Sequence, residues 1–495
     1  MNLLSSVLDD FYRICALPRC STNEAGIRSW IRTWAESRSL PVRTDSSGNI
    51  CVDVPGSQGR EREPVIVLQA HQDMVCEARS GVVHDFSTGV VVETDGDWLT
   101  SRDTTLGADD GMGIALITGV CGAIIDSAPA SSSARHPPLE LLFTANEEAG
   151  MSGARGLTPG FLRGRLLLNL DSEREGFFTV GCAGLRFAEI SLEARSISPP
   201  GRNAVAAFTV EIRGLAGGHS GTDIHRGRAN AVILAARLLL FLAKRCDLHL
   251  VDIKAGSAPN MIARDAVLTV SIPVSDADTL SAAVVAADGR FRDEFALTDP
   301  QITLTCGPAA ATSAAVFTAE ATSRLSELLL ALPHGVLRVF DPPDRGIVHT
   351  SVNLAGCETS GAGPSARTVR IFQSFRGAAS EDMDQAGKRI EAVAKLAGAR
   401  ASFSGDHLPW IAKTGSAVHE RAVRAYRKAH RTLPREEFAH GMLECGVIAD
   451  RIPDMDMVST GPTIEGPHAP GERVSVSSTK RVAEFLAAFI SAGGR

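Results

Sequence analysis

The sequence lacks the features that mark several other classes of protein. Its net charge of −7 leaves no excess of basic residues, which argues against nucleic acid as a main partner. No uninterrupted apolar run reaches the roughly 18 residues that span a bilayer, so we expect no membrane partner. The N-terminus carries Asp9 and Asp10 where a signal peptide needs basic residues, which predicts a cytoplasmic protein.

Cysteine pairs with the C-x-x-C spacing are also absent. Ten cysteines are spread thinly from Cys15 to Cys445, a distribution typical of neither a disulfide framework nor a thiolate zinc site. We expect most of them to be small buried hydrophobic residues. The ligands of any bound metal must therefore come from histidine and carboxylate side chains.

The chain is long enough for several domains. Its 495 residues predict roughly two to four domains, and a hydrophobic content of 44% is sufficient for large cores. Helical and strand patterns alternate over residues 1–185, which predicts a doubly wound α/β domain. Residues 186–400 alternate similarly but contain few clustered acids, which predicts an inserted α+β lid domain. Residues 401–495 then return to the first domain.

The most informative stretch is an apolar strand that ends in two acidic residues. Leu141–Ala145 is a run of apolar and small residues, typical of a strand buried on both faces, and Glu147 and Glu148 follow it. Ligands and catalytic groups of open α/β sheets collect at the carboxyl ends of strands. On extended backbone the two glutamates would point in opposite directions, so one could bind a metal while the other faces a substrate. A solvated Glu-Glu pair at the start of a helix would be the ordinary alternative.

Other predicted strands and loops end in the same way. Ionisable residues occur at five such places, and the side chains that could bind a metal are His71, Asp109, Glu148, Asp171 and His468. Five ligands are too many for one open catalytic zinc, which takes three, but two ions that share a bridging carboxylate would use all five. Asp73 lies two residues after His71 and could accept its imidazole N–H. Near the N-terminus, Ser21 and Glu24 predict a capping box at the start of a helix.

The motifs around these residues resemble, in order, those of the co-catalytic di-zinc metallopeptidases, and within that family those of the aminoacyl-histidine (Xaa-His) dipeptidase branch, which hydrolyses carnosine. The motifs are His71–Asp73, Gly107–Asp110, Asn146–Glu148, Asn169–Asp171 and Gly466–His468. Further similarity to the Xaa-His branch lies in His71–Glu77, Val83–Phe86, Gly181–Gly184, Gly217–Ser220 and Pro453–Val458.

The resemblance implies a role for each matched residue. His71 and Asp171 would bind one zinc ion, and Glu148 and His468 the other. Asp109 would bridge the two ions. The resemblance therefore implies two divalent ions per chain, Zn²⁺ first, with Mn²⁺ or Co²⁺ as alternatives.

The resemblance also implies catalytic and substrate-binding residues. Glu147 would be the general base, Asp73 would orient His71, and His219 of the lid would reach the substrate and stabilise the oxyanion. Asn260 and Arg376 stand where related enzymes place substrate-binding residues. The implied quaternary structure is a homodimer, and the question of whether His219 acts within one chain or across the dimer stays open.

This chain departs from the common family pattern in a few places. Many members have Asp-Asp-Lys where this chain has Asp109, Asp110 and Gly111, and glycine there resembles the Xaa-His dipeptidase branch. The segments Asp126–Pro138 and Ala309–Ala315 look like local insertions. Neither segment interrupts a motif.

The function implied is metal-dependent hydrolysis of the peptide bond of dipeptides, of the Xaa-His type. Two zinc ions would activate a bridging water molecule, and Glu147 would take its proton and pass it to the leaving amine. A related di-zinc tripeptidase or an N-acyl amino acid deacylase is an alternative. A metal-binding scaffold without activity should lack the base or a ligand, and every matched position is retained here.

Overall fold

The computed structural model describes residues 2–127, 135–198, 205–310, 315–340, 346–360, 366–411 and 413–493. The chain forms two compact units. Unit 1 consists of Met1–Cys182 and Trp410–Arg495, and unit 2 consists of Ala183–Pro409. Unit 2 is thus inserted in the sequence between the two segments of unit 1.

The elements follow one another along the chain. The first segment of unit 1 contains α1 (Leu3–Cys15), α2 (Ala25–Glu36), β1 (Val42–Thr44), β2 (Ile50–Val54), β3 (Ile66–His71), β4 (Glu93–Asp95), β5 (Trp98–Thr100), α3 (Ala108–Ser127), β6 (Leu139–Thr144), α4 (Ser152–Gly156), β7 (Leu166–Asn169) and β8 (Phe177–Cys182). Unit 2 contains β9 (Gly184–Ile197), β10 (Val205–Arg213), α5 (Ala231–Ala243), β11 (His249–Ala255), β12 (Ala266–Pro273), α6 (Ala277–Glu294), β13 (Thr303–Pro308), β14 (Val316–Phe317), α7 (Ala319–Ala331), β15 (Gly335–Val339), β16 (Val348–Ser360), β17 (Ala366–Gly377), α8 (Ser380–Leu396) and β18 (Arg400–His407). The second segment of unit 1 contains α9 (Ala417–His430), β19 (Arg435–Ala439), α10 (Glu444–Arg451), β20 (Asp456–Ser459), β21 (Ile464–Glu465), β22 (Arg473–Ser475) and α11 (Val476–Ser491).

The main sheet of unit 1 has the order β1-β2-β6-β3-β7-β20-β8-β19. Its centre, β6, β3, β7 and β20, is parallel. Strands of this kind are buried on both faces, which explains their continuous apolar sequences. On β3, Ile66 and Leu68 pack into a core shared with α1, α3 and α11, whereas Val67 packs into a second core shared with α4 and α10. Helices therefore cover both faces, as the α/β prediction requires.

Helix α3 is almost entirely buried in the core that it shares with α1 and α11. By length and composition alone it could cross a membrane, with a mean hydropathy of 1.5, but 83% of its most apolar stretch is buried within the protein. This is the burial of a core helix. Gly and Thr residues interrupt its apolar sequence, so it contains no uninterrupted apolar run long enough to span a bilayer.

Unit 2 is an α+β structure built on a long antiparallel sheet. The order is β13-β10-β12-β11-β16-β17-β9-β14, with β15 paired to β16 and β18 to β9. Helices α5, α6, α7 and α8 share one hydrophobic core with the sheet. The two long strands β9 and β16 were not predicted.

Parts of the two predicted insertions fall on residues 128–134 and 311–314. Both stretches lie outside the residues described, so the predictions for Asp126–Pro138 and Ala309–Ala315 remain predictions.

Candidate metal centre

The candidate ligands of unit 1 follow the carboxyl ends of its parallel strands. β3 runs between β6 and β7, with His71 opposite Thr144 and Gln69 opposite Asn169. β20 continues the parallel set, with Ser459 opposite Asn169. Side chains that follow these positions share one edge of the sheet, which is where ligands bind in open α/β folds.

Asp109 lies at the centre of the group. Its Oδ1 is 3.0 Å from Nε2 of His71, and its Oδ2 is 3.1 Å from Nε2 of His468. Nε2 of His71 is also 3.5 Å from Oδ1 of Asp171, and Nε2 of His468 is 3.0 Å from Oε1 of Glu148. The two oxygens of one carboxylate thus face two separate pairs of side chains, which is the arrangement that a bridging ligand requires.

The neighbouring carboxylate points elsewhere. Oδ2 of Asp110 accepts a hydrogen bond from the backbone N–H of His71, and Oδ1 accepts one from that of Gly113, both at 3.1 Å. The backbone dihedral angles of Asp109 and Asp110 are not helical, although both lie within α3. Of the two adjacent aspartates, Asp109 is therefore the one whose carboxylate faces the histidines.

Glu147 and Glu148 lie in a turn rather than on a strand. β6 ends at Thr144, and Asn146 in between has a φ of 55°. The expectation of extended backbone at the two glutamates was therefore wrong. Asp73 holds the turn, because its carboxylate accepts the backbone N–H of Glu147 at 2.8 Å and that of Glu148 at 3.1 Å.

Asp73 also contacts His71 and Ser21. Its Oδ1 is 3.4 Å from Nδ1 of His71, which is long for a hydrogen bond, and its Oδ2 accepts the hydroxyl of Ser21 at 2.7 Å. Burial raises the pKa of Asp73, but the hydrogen bonds and the charge of His71 outweigh it and lower the pKa to about 2. The capping box predicted at Ser21 and Glu24 is not formed, because the Ser21 hydroxyl binds Asp73 and α2 begins without a side-chain cap.

The charges of the group are concentrated in a buried space. Burial raises the pKa of Glu147 well above its ordinary value, and the carboxylates of Asp171 and Glu148 raise it further. Burial and the charge of Asp109 likewise raise the pKa of Asp171. Hydrogen bonds to Asp109 and Glu148 raise the pKa of His468 to about 11. The group thus contains more carboxylates than the two histidines can neutralise.

This donor set fits two divalent cations. The ligand atoms of His71, Asp109 and Asp171 lie within 4.8 Å of one another, and so do those of Asp109, Glu148 and His468. Imidazole nitrogen and carboxylate oxygen without thiolate suit zinc or manganese. Metal ligands bind in their deprotonated form, so two cations would replace the protons that now link these imidazoles and carboxylates.

A second acidic group in unit 1 does not fit a metal. The ligand atoms of Cys51, Asp53 and Glu140 also lie within 4.8 Å of one another. However, Nη2 of Arg43 contacts Asp53 at 2.8 Å and Glu140 at 2.7 Å, and Arg163 pairs with the same two carboxylates. The guanidinium groups occupy the place of a cation.

The predicted residues of the lid lie together within unit 2. Nε2 of His219 is 3.3 Å from Nη2 of Arg376, and the backbone O of Asn260 accepts the N–H of Ser220 at 2.8 Å. Nδ1 of His219 accepts the backbone N–H of Gly221 at 3.3 Å and that of Thr222 at 3.2 Å. Donors therefore face both ring nitrogens of His219, the guanidinium of Arg376 at Nε2 and two backbone N–H groups at Nδ1.

Glu444 and Glu173 are carboxylates near the candidate ligands that the sequence motifs did not identify. Glu444, at the start of α10, is fully buried, and its Oε2 accepts Nε2 of Gln69 at 2.7 Å and the hydroxyl of Thr144 at 2.6 Å. Burial raises the pKa of Glu444 to about 7. Burial, together with the charge of Asp109, raises the pKa of Glu173 to about 8. A single glutamate outside the matched motifs carried no signal that could have identified either residue.

Comparisons with known proteins show which proteins this chain is similar to. Residues 210–297 match the model of a peptidase dimerisation domain. The cytosol non-specific dipeptidase of Escherichia coli is 35% identical over 472 residues, which cover 95% of this chain and 94% of that protein. Among solved structures, aminoacylhistidine dipeptidase from Vibrio alginolyticus is 34% identical, with a TM-score of 0.80, and the match covers 98% of this chain and 96% of that one.

A more distant structure shares the fold. Aminopeptidase PepT from Bacillus cereus is 16% identical, with a TM-score of 0.59, and the match covers 99% of this chain and 98% of that one. Identity and coverage of the two nearer relatives are high enough to establish the family, which confirms the resemblance seen in the motifs. The chain belongs to the M20 family of metallodipeptidases.

Proposed function

We propose that this protein hydrolyses dipeptides of the Xaa-His type, such as carnosine, with two divalent ions and Glu147 as the general base. The observation that carries the proposal is the position of Asp109, whose two oxygens face His71 and His468 at 3.0 and 3.1 Å. His71 and Asp171 would hold one ion, and Glu148 and His468 the other. When bound, the ions, Zn²⁺ by preference, would polarise the scissile carbonyl and lower the pKa of a water molecule.

Glu147 is suited to moving a proton between that water molecule and the leaving amine. Burial and the neighbouring carboxylates Asp171 and Glu148 raise the pKa of Glu147. A carboxylate with a raised pKa is a stronger base, so Glu147 would accept a proton readily. Its position is set by Asp73, which accepts its backbone N–H at 2.8 Å. Asp73 would therefore orient both His71 and the base.

His219, Asn260 and Arg376 would bind the substrate. His219 would supply an N–H donor to the oxyanion that develops on the scissile carbonyl. The guanidinium of Arg376 suits a carboxylate, which every dipeptide carries at its C-terminus. The match of residues 210–297 to a dimerisation domain supports a homodimer, and the name of the Escherichia coli relative supports a cytoplasmic location.

A substrate panel with parallel metal analysis tests the proposal. The panel contains Xaa-His dipeptides, other dipeptides, tripeptides and N-acyl amino acids, assayed on protein with about two ions per chain. We expect the highest kcat/KM for Xaa-His dipeptides and loss of activity when chelators remove the ions. Equal rates across dipeptides would favour the broad specificity that the name of the Escherichia coli relative describes. A preference for tripeptides or N-acyl amino acids would refute the proposal.

A further inference from the structure

The segment that carries Asp109 is held by two charged side chains, Glu472 and Arg19, that belong to none of the candidate ligand groups. Asp109 is shared by the two groups proposed to hold the ions, that of His71, Asp109 and Asp171 and that of Asp109, Glu148 and His468. A shift of its backbone would therefore disturb both groups at once. A shift of Asp171 or Glu148 would disturb one group of the two.

Glu472 binds this segment through its backbone N–H groups. Oε2 of Glu472 accepts the N–H of Leu106 and that of Gly107, both at 2.8 Å, and Oε1 accepts the N–H of Asp109 at 3.1 Å. The side chain is buried, with 2% of its surface exposed. Leu106 and Gly107 precede α3 and Asp109 is its second residue, so one carboxylate accepts three backbone N–H groups where the loop enters the helix. The two partners are 363 residues apart in the sequence.

Arg19 binds the same segment by donating to one of its backbone carbonyl groups. Its Nη2 donates to the backbone O of Gly107, and its Nη1 donates to the backbone O of Asp73 at 2.8 Å. Arg19 is 1% exposed. The segment Leu106–Asp109 is thus fixed from both sides, its amides by an anion and a carbonyl by a cation.

Glu472 also belongs to the loop that carries the second histidine. Its own backbone N–H donates to the O of Ala469 at 3.1 Å, in the turn that follows His468. Oδ2 of Asp109 and Nε2 of His468 are 3.1 Å apart. Glu472 therefore ties the loop of His468 to the backbone of Asp109, beside the contact between their side chains.

We propose that Glu472 is a positioning residue for the bridging carboxylate, and that its loss weakens the binding of both metal ions together. The proposal rests on the two-ion site of the proposed function. Residues that orient metal ligands typically contribute about 10–100-fold to metal affinity. A ligand such as Glu148 serves one ion, so its loss should leave the other ion bound.

The test uses Glu472→Gln and a titration of the metal-free protein with Zn²⁺ against a chromogenic chelator. The amide keeps one oxygen and places an NH₂ donor against backbone donors, so at least one of the three hydrogen bonds is lost. We expect the affinities for both ions to fall by about 10–100-fold. Glu148→Gln should lose one ion and retain the other.

Glu140→Gln is a matched control. Glu140 is also a fully buried carboxylate that accepts backbone N–H groups, those of Arg163 and Gly164, at 2.9–3.1 Å. It lies near the opposite end of β6, four residues before Thr144 and therefore roughly 13 Å from the ligand edge. Glu140→Gln should lower the urea midpoint of unfolding while both Zn²⁺ affinities stay at the wild-type value.

The outcomes separate this inference from the proposed function. If wild-type protein binds fewer than two ions, the two-ion site itself is refuted. If wild-type protein binds two ions and Glu472→Gln binds both with unchanged affinity, or loses only one, the positioning role is overturned. If Glu472→Gln does not fold, Glu472→Asp decides, because its shorter carboxylate should still weaken both ions, and unchanged affinities would refute the inference.

Discussion

At the scale of single residues, Asp73 acts mainly on the backbone of the turn that carries the two glutamates. The sequence spacing predicted a contact with His71, and the distance to Nδ1 is 3.4 Å. The shorter contacts are with the N–H groups of Glu147 and Glu148. The positions of the glutamates could be predicted from the end of the strand, but the turn could not, because its acceptor is 74 residues earlier in the chain.

The different roles proposed for Glu147 and Glu148 give the first prediction. Glu147→Gln should keep both metal ions and lower kcat by about 10²–10⁴-fold, because the amide cannot accept a proton. Glu148→Gln should lose one ion, since its Oε1 is the atom that faces His468 at 3.0 Å. Both variants are measured by metal analysis and by kinetics on a Xaa-His dipeptide. A Glu147→Gln enzyme with near-normal turnover and full metal content would contradict the assignment.

At the scale of elements, the loop before α3 depends on a close approach that only glycine allows. Gly107 has a φ of +69°, and a Cβ there would collide with Nη2 of Arg19 and lie 2.6 Å from Sδ of Met74. Gly96, in the turn between β4 and β5, has a similar φ of +62°, and no described atom lies within 4 Å of a Cβ placed there. Comparing substitutions at Gly96 and Gly107 therefore separates the energetic cost of the left-handed backbone from the cost of a steric clash.

Alanine at these two glycines should therefore have unequal effects. Gly96→Ala should cost roughly 1–2 kcal/mol of unfolding free energy, from the left-handed backbone alone. Gly107→Ala should cost about 1–3 kcal/mol more, because Arg19 or Met74 must move. Urea unfolding of the metal-free proteins gives the comparison, and a Zn²⁺ titration should show weaker binding for Gly107→Ala only. Equal effects of the two substitutions would show that the approach of Arg19 does not matter.

A disulfide joins two loops beside the candidate site, contrary to the expectation from the cysteine pattern. Cys20 and Cys76 are bonded across 56 residues, whereas seven of the eight remaining cysteines are buried thiols, as predicted. Cys20 lies between Arg19 and Ser21, which contact the backbone and the carboxylate of Asp73. Two isolated cysteines so far apart in a sequence do not reveal a pair, because only the tertiary structure brings them together.

Reduction of this disulfide should lower the stability of unit 1. A closed loop of 56 residues corresponds to about 4 kcal/mol in the chain-entropy model. Dithiothreitol should therefore lower the urea midpoint of metal-free wild-type protein. Cys76→Ser should have the lower midpoint already and should not respond to the reductant. An identical midpoint with and without dithiothreitol would show that the bond contributes nothing to stability.

At the scale of the whole molecule, the candidate metal ligands were easier to recognise in the sequence than the residues that hold their backbone and side chains in place. His71 and Asp171 follow the ends of predicted strands, so local patterns were sufficient to propose them as ligands, whereas the choice of Asp109 rested on the resemblance of its motif. Arg19, Glu444 and Glu472 are single charges whose partners lie far away in the chain, and no local pattern distinguishes them from surface residues. The long strand β9 was missed although buried and more exposed residues alternate along it with a period of two, the ordinary pattern of a half-buried strand.

The last prediction concerns His219, the lid residue of unit 2. If it donates to the oxyanion, His219→Ala should lower kcat by about 10²–10³-fold with metal content and KM little changed, because the hydrogen bond strengthens as charge develops. His225→Ala is the matched control, since His225 is an exposed histidine in the turn that follows, and its kinetics should remain normal. Full activity of His219→Ala would exclude a catalytic role.

Mixing two inactive variants then shows which subunit His219 serves. If the protein is a homodimer, a hybrid of one Glu147→Gln subunit and one His219→Ala subunit would have one site with both residues intact, provided that His219 acts on the partner's site. Random exchange of equal amounts would restore roughly a quarter of the wild-type sites, because half of the dimers are hybrids with one complete site each. If His219 acts within its own chain, every site lacks one residue and no activity returns. Hybrid formation must be verified with differently tagged subunits, since only verified hybrids without activity exclude action across the dimer.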